Sequence, residues 1–239
     1  YWTSGLLLFV EPAFVRDEIL LLARGIEQNG SVPSAIPVNP SDRKIPLWTD
    51  HVDSGPYFIL LVDDYIRFTG DKSILNVHKN GRSIYDSMQM IISHLEETDH
   101  NGNFLPEKSV NSLQDWLDSI PREGEIISNE VLYFRALANM AELATLNGRA
   151  EDAAKYRKRA AIVKQQINRI FWNAKKGIYA EQCIQDVCND RLTNESALAV
   201  LFDVAPAEYR KPFFRSLQGL ETRNIAQATT TVITAISAT

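Results

Sequence analysis

The sequence predicts an all-α protein built of helical hairpins, and three observations carry that prediction. Apolar residues recur at helical spacing along most of the 239 residues, strand-like alternation is absent, and helices that are apolar all round alternate with helices apolar on one stripe. An all-round apolar helix has to be enclosed by neighbours, whereas a striped one lies outside, so the alternation describes inner and outer helices packed as a ring or bundle. No low-complexity linker interrupts the series, and residues 1–239 read as one domain that continues beyond both ends of this chain.

The elements follow in order. Residues 11–28 place Val15, Ile19, Leu22, Ala23 and Ile26 on one helical face and stop at Asn29-Gly30. A loop of about two dozen residues, rich in Pro and Ser, then runs to His51; a loop that long without structure of its own signals function or disorder. Residues 53–68 form the next helix, ending at Thr69-Gly70-Asp71, and residues 83–97 another, closed by Asp99-His100-Asn101-Gly102-Asn103.

The helix expected over 126–147 carries Val131, Leu132, Phe134, Leu137, Met140 and Leu143 and is apolar all round. Its partner over 150–172, joined by Gly148-Arg149, sets Lys155, Arg157, Lys158, Arg159 and Lys164 on a solvated face. Residues 194–202, 207–217 and 225–238 add further helices.

Composition excludes several functions. Twenty-five basic against 30 acidic residues give a net charge of −5 and a pI near 5.5, so there is no basic field for nucleic acid. No apolar run approaches the roughly 18 residues of a membrane span. Cys183 and Cys188 are the only cysteines, and His51, His78, His94 and His100 lack metal-ligand spacing, so no metal site and no cofactor are expected. Two free thiols are the expectation for the cysteines, with a local disulfide as the alternative. Asp99, Asn101 and Asn103 begin like a calcium loop, but Phe104 and Val110 stand where an EF-hand needs Gly and Glu. Oligomeric state and localisation have no signal.

The chemistry concentrates at Asp115-Trp116-Leu117-Asp118, on a segment that Pro121 and Gly124 keep from becoming helix. Two carboxylates flanking an aromatic ring suit sugar chemistry. One carboxylic acid donates a proton to a glycosidic oxygen, an ionised neighbour steadies positive charge, and the ring packs on the sugar's C–H face. Asp118 is the candidate general acid and Asp115 the candidate ionised group gripping hydroxyls; turn or capping roles are the bland alternatives. Trp116 is a candidate substrate platform. Glu130, at the mouth of the all-apolar helix, either faces the pocket or complements the helix dipole. Trp48, Asp50 and Asp53 mark a second wall at the end of the long loop, unless Asp50 or Asp53 caps the helix that follows. Arg122 either pairs with Asp118, binds substrate, or is exposed.

Several segments together resemble the six-hairpin glycosidases. Asn29-Gly30-Ser31-Val32-Pro33 resembles the family's "Q-x-x-D-G-x-I-P" turn, and Asp53-Ser54-Gly55-Pro56-Tyr57-Phe58 with Asp64-Tyr65 and Thr69-Gly70-Asp71 resembles a hairpin-opening helix. Asp99-His100-Asn101-Gly102 is similar to the "D-x-D/N-G" turn, and Asp115 to Asp118, Gly124 and Phe171-Trp172-Asn173 continue in family order. Leu192 to Phe202 is similar to the "N-A-L-A-x-L-F-G" segment of bacterial α-L-rhamnosidases, the first choice; Trp116-Leu117-Asp118 also resembles the "W-M-D" of glycogen-debranching-type and processing α-glucosidases.

The resemblance implies an (α/α)6 toroid, incomplete in this chain, with a sugar pocket at one mouth, and a hydrolase that inverts through a carboxylate pair. It also implies departures. The rhamnosidases' "R-D-E-R-x-G-W-x-G-D" acid segment would precede this chain, with Tyr1-Trp2-Thr3-Ser4-Gly5 matching its tail, and the second catalytic carboxylate would follow Thr239. Arg16-Asp17-Glu18 copies the letters of that segment but lies inside an apolar-periodic helix. A helical-repeat interaction module is the competing class; it requires self-similarity at about 34–47 residues, which the chain lacks. A toroid-fold lyase would want basic residues beside the acids, where Arg122 stands alone.

Overall fold

The computed structural model describes residues 1–36, 51–109, 115–117, 120–189 and 191–221. Two helices, α1 (Trp2–Leu7) and α2 (Pro12–Leu22), lead in, the second with proline at its first turn, where a missing N–H costs nothing. Then come α3 (Ser54–Thr69), a 3₁₀ turn (Lys72–Asn76), the strand pair β1 (His78–Lys79) and β2 (Arg82–Ser83), and α4 (Ile84–Glu96). Strand β3 (Glu125–Ile126) feeds α5 (Ile127–Leu146), which turns into α6 (Ala150–Phe171). Strands β4 (Trp172–Asn173), β5 (Ile178–Tyr179), β6 (Gln182–Ile184) and β7 (Val187–Cys188) follow, and α7 (Leu198–Leu201) and α8 (Ala207–Glu221) close the described chain.

The two inner helices behave as their composition dictates. Helix α3 buries Phe58, Ile59, Leu60, Leu61 and Val62 in succession, and α5 buries residues around its whole circumference, from Val131 to Ala144. They pack on each other, and α5 pairs most extensively with α6. Helix α6 buries only Ala153, Tyr156, Ala160, Val163, Ile167 and Phe171, one stripe at helical spacing, and leaves its basic face to water. Gly70 ends α3 in the left-handed conformation, φ 75°, with its N–H on the Ile66 carbonyl.

Some expectations change. The helix expected over 11–28 stops at Leu22: the amides of Arg24 and Gly25 bond three residues back rather than four, so the chain leaves the helix while Ile26 stays buried. The segment 194–202 divides into a 3₁₀ turn (Asn194–Ala197) and α7. The strands are two or three residues long, too short for alternation to register in sequence. The cysteines are not free thiols. Antiparallel β6 and β7 set Cys183 directly opposite Cys188, with Cα atoms 4.0 Å apart, and the two form a disulfide. Residues 225–238, expected as a helix, lie outside the described residues.

Candidate active site

The acidic loop is closed at its base. Lys108 and Gly124 exchange backbone hydrogen bonds, 2.8 Å from the Lys108 N–H and 2.7 Å from the Gly124 N–H. Gly124 has φ 75°, and a Cβ there would strike the Cys183 carbonyl of β6, so this turn admits only glycine. Strand β3 then pairs with β6, and the chain enters α5 with Ser128 and Asn129 in the first turn facing the loop.

Asp115, on this loop, is fully buried. Its Oδ1 accepts the Leu117 N–H at 3.0 Å, a local turn that orders the residue between them, Trp116. Its Oδ2 accepts Arg122 Nη2 at 2.8 Å and, more weakly, Asn129 Nδ2 at 3.5 Å. The other arm of Arg122, Nη1, donates to both oxygens of Glu195 at 3.0 and 2.9 Å, and Glu181 Oε1 lies 3.8 Å away. Ser128 Oγ donates to Glu195 Oε2 at 3.0 Å, and Arg191 Nε approaches Glu181 at 3.3 Å.

Burial opposes the Arg122 charge, but Glu195 and Asp115 outweigh it and push its pKa up. Lys108, also buried, donates from Nζ to the Arg122 carbonyl at 2.9 Å; desolvation pulls its pKa down, and Asp115 partly restores it. Buried charges cost several kcal/mol each when unpaired, so this chain of alternating signs holds only as a set.

A second support comes from α3. Asp53 occupies the N-cap position but makes no capping bond; its Oδ2 accepts the Trp116 N–H at 2.9 Å, and Oδ1 lies 3.5 Å from His51 Nδ1. The Trp116 backbone is therefore held from below by Asp115 and from the side by Asp53, while its indole stands 55% exposed. An exposed Trp on a fixed backbone presents a flat apolar face to water, which is what a sugar ring needs.

The structure brings Asp115, Trp116, Arg122 and Asp53 into one constellation. Arg122 is not exposed: its guanidinium is engaged by Asp115 and Glu195, with Glu181 beside them. Glu130 lies apart. It sits in the first turn of α5, one residue and hence about 100° around the helix from Asn129. It is wholly buried, and neither oxygen has a well-formed hydrogen bond. Desolvation, then repulsion from Glu125, raises its pKa well above the usual carboxylate range, with the Ile126 backbone a partial offset. Asp118, Trp48 and Asp50 lie outside the described residues.

Sequence reasoning missed Glu195, Glu181, Ser128 and Lys108. Only Glu195 lay in a segment already singled out, and nothing local marks its contact with Arg122, 73 positions away. Among the described residues no three His, Cys, Asp or Glu side chains are grouped to hold a metal ion, and no helix is long and apolar enough to cross a membrane.

Known structures share this architecture at low identity. A rhamnosidase from Klebsiella oxytoca with rhamnose bound superposes with a TM-score of 0.68 at 18% identity, covering 90% of this chain and 41% of its own. The GH78 family rhamnosidase of Bacillus sp. GL1 gives 0.66 at 19%, covering 87% and 21%. A bacterial glucoamylase complexed with acarbose gives 0.62 at 16%, covering 92% and 33%. The chain thus spans less than half the length of these relatives. No curated protein matches it in sequence. The family model for the bacterial α-L-rhamnosidase six-hairpin glycosidase domain matches residues 6–235. With the helical architecture agreeing, the chain belongs to that family of glycosidase domains.

Proposed function

We propose that residues 1–239 form the pocket-bearing catalytic domain of a glycoside hydrolase that removes a terminal α-L-rhamnoside-like sugar with inversion. The observation that carries this reading is Trp116: an exposed indole on a backbone fixed by two buried carboxylates, Asp53 and Asp115. The family membership and the rhamnose-bound neighbour point the same way for the sugar.

In this reading Asp118 is the general acid that protonates the leaving oxygen, and Asp115 is the ionised partner. The contacts of Asp115 suit the second role, since both of its oxygens accept hydrogen bonds, from the Leu117 N–H and from Arg122. Inversion requires the acid and the base that activates water to stand about 6.5–9.5 Å apart. Trp116 stacks on the sugar, Asp53 supports it from α3, and Trp48 and Asp50 are further substrate-binding candidates of the segment before α3. Glu130, wholly buried, makes no direct contact with substrate, and Arg122 serves binding through the groups it holds. No cofactor is required.

A debranching-type α-glucosidase is the second reading, favoured by the resemblance of Trp116-Leu117-Asp118 to "W-M-D". A uronate lyase would need a cation free to meet a carboxylate, and Arg122 is already engaged by Asp115 and Glu195. The test is hydrolysis of nitrophenyl α-L-rhamnoside, α-glucoside, α-mannoside and β-glucuronide by the full-length protein. Preferential cleavage of the rhamnoside is expected. Preference for the glucoside would establish the second reading, and cleavage of none would overturn both for these simple glycosides.

A further inference from the structure

Arg122 faces two ways. One arm reaches Asp115 on the acidic loop, and the other grips both oxygens of Glu195, which enters from the 3₁₀ turn Asn194–Ala197. Glu195 is buried and has a second partner, Ser128 Oγ, in the first turn of α5. With Nη1 set between the two oxygens of buried Glu195 and Nη2 on Asp115, the guanidinium is held at both ends, so the arm toward Asp115 is aimed rather than free. What Arg122 aims at is Asp115, and Asp115 in turn orders the Leu117 N–H and the Trp116 backbone.

We infer that Glu195 is a positioning residue of this site: through Arg122 it holds Asp115, and with it Trp116, in the arrangement that meets substrate. Glu195 touches no substrate in this scheme. It converts the rigidity of the α5 first turn and the adjoining 3₁₀ turn into the placement of Asp115 and Trp116. Glu181 is the weaker third carboxylate, 3.8 Å from Nη1 and shared with Arg191, so it adds charge balance without fixing the guanidinium plane.

The inference rests on the glycosidase reading only for its kinetic arm, and its primary test does not need activity. Amide hydrogen exchange is followed in the full-length protein and in two variants. Glu195→Gln removes the charge that grips Arg122; Ser128→Ala removes one hydrogen bond to Glu195 and leaves the fork in place. Glu195→Gln is expected to raise exchange at the Trp116 and Leu117 amides about tenfold, with Lys108, Gly124 and the middle of α5 unchanged. Ser128→Ala is expected to raise it at the same two amides by a smaller factor.

In kinetics, Glu195→Gln should raise KM by about five- to tenfold while kcat falls by less, because a misplaced platform weakens binding. Unchanged exchange at Trp116 and Leu117 in either folded variant overturns the inference. So does an equal rise throughout α5, which would make Glu195 a stability residue only. Should Glu195→Gln fail to fold, Ser128→Ala decides alone. A wild type that cleaves no glycoside sinks the hydrolase reading and leaves the exchange result to decide this one.

Discussion

The carboxylate of Asp53 accepts the backbone N–H of Trp116 at 2.9 Å, across 63 positions of sequence. An aspartate at the N-cap position of a buried helix ordinarily satisfies that helix's own amides. Here it is turned to the acidic loop instead, and α3, one of the most enclosed helices, becomes the support of the most exposed tryptophan side chain among the described residues.

Replacing that acceptor should therefore act on binding. Hydrogen bonds to charged groups contribute about 1.5–3 kcal/mol, so Asp53→Ala should raise KM for the cleaved glycoside at least tenfold with helix content unchanged. Steady-state kinetics with far-ultraviolet circular dichroism checks this; an unchanged KM would show that Trp116 does not depend on α3.

Trp116→Ala removes the exposed indole and leaves the hydrogen bonds of Asp53, Asp115 and Arg122 in place, because those to Trp116 and Leu117 run to the backbone. The expected result is a KM increase of about tenfold, equivalent to about 1.4 kcal/mol, with a melting temperature within a degree or two of wild type. Unaltered KM would remove the indole from the binding face.

Glu130 makes stability depend on pH in a stated direction. Its folded-state pKa lies well above the unfolded value of 4.5, so its contribution is fully present below pH 4.5 and is lost as pH rises through the folded pKa. Glu130→Gln stays neutral throughout. Its melting temperature should gain on wild type as pH is raised from 5 to 8, whereas a constant difference across that range would contradict the burial of an unpaired carboxyl.

The Cys183–Cys188 disulfide staples the β6–β7 hairpin, whose Gln182 side chain bonds the Glu123 carbonyl beside Arg122. For so short a loop, chain entropy puts its contribution near 2 kcal/mol. The Cys183→Ser/Cys188→Ser double variant should melt about 4–8 °C lower, with KM raised more than kcat is reduced. Equal melting temperatures would mean that the hairpin is held by its ladder alone.

What the sequence revealed depends on the range over which the responsible interaction acts. The 126–147 and 150–172 helices appear as Ile127–Leu146 and Ala150–Phe171, because an unbroken helical period over twenty residues is a local pattern that packing then reinforces. Asp115-Trp116 also stood out as a local pattern, whereas Asp118 lies outside the described residues. The burial of Asp115 did not stand out, since it depends on Arg122 and hence on Glu195, and a pairing across 73 residues leaves no periodic trace. Capping rules offered Asp50 or Asp53 as a cap for α3; Asp53 stands at its start but bonds Trp116 instead, a partner those rules cannot find because they weigh only neighbouring amides. The disulfide stood only as the alternative to two free thiols, because cysteines five positions apart meet only if a hairpin sets them opposite each other.

The proposed function requires that the glycosidic bond be broken at the loop bearing Asp115 and Trp116. Single-turnover hydrolysis of the preferred nitrophenyl glycoside by the full-length protein and its Asp118→Asn variant tests it most directly. General acid catalysis contributes about 10²- to 10⁴-fold, so the variant's rate should fall by that factor with substrate affinity retained. A rate equal to wild type would move the acid off this loop and contradict the account.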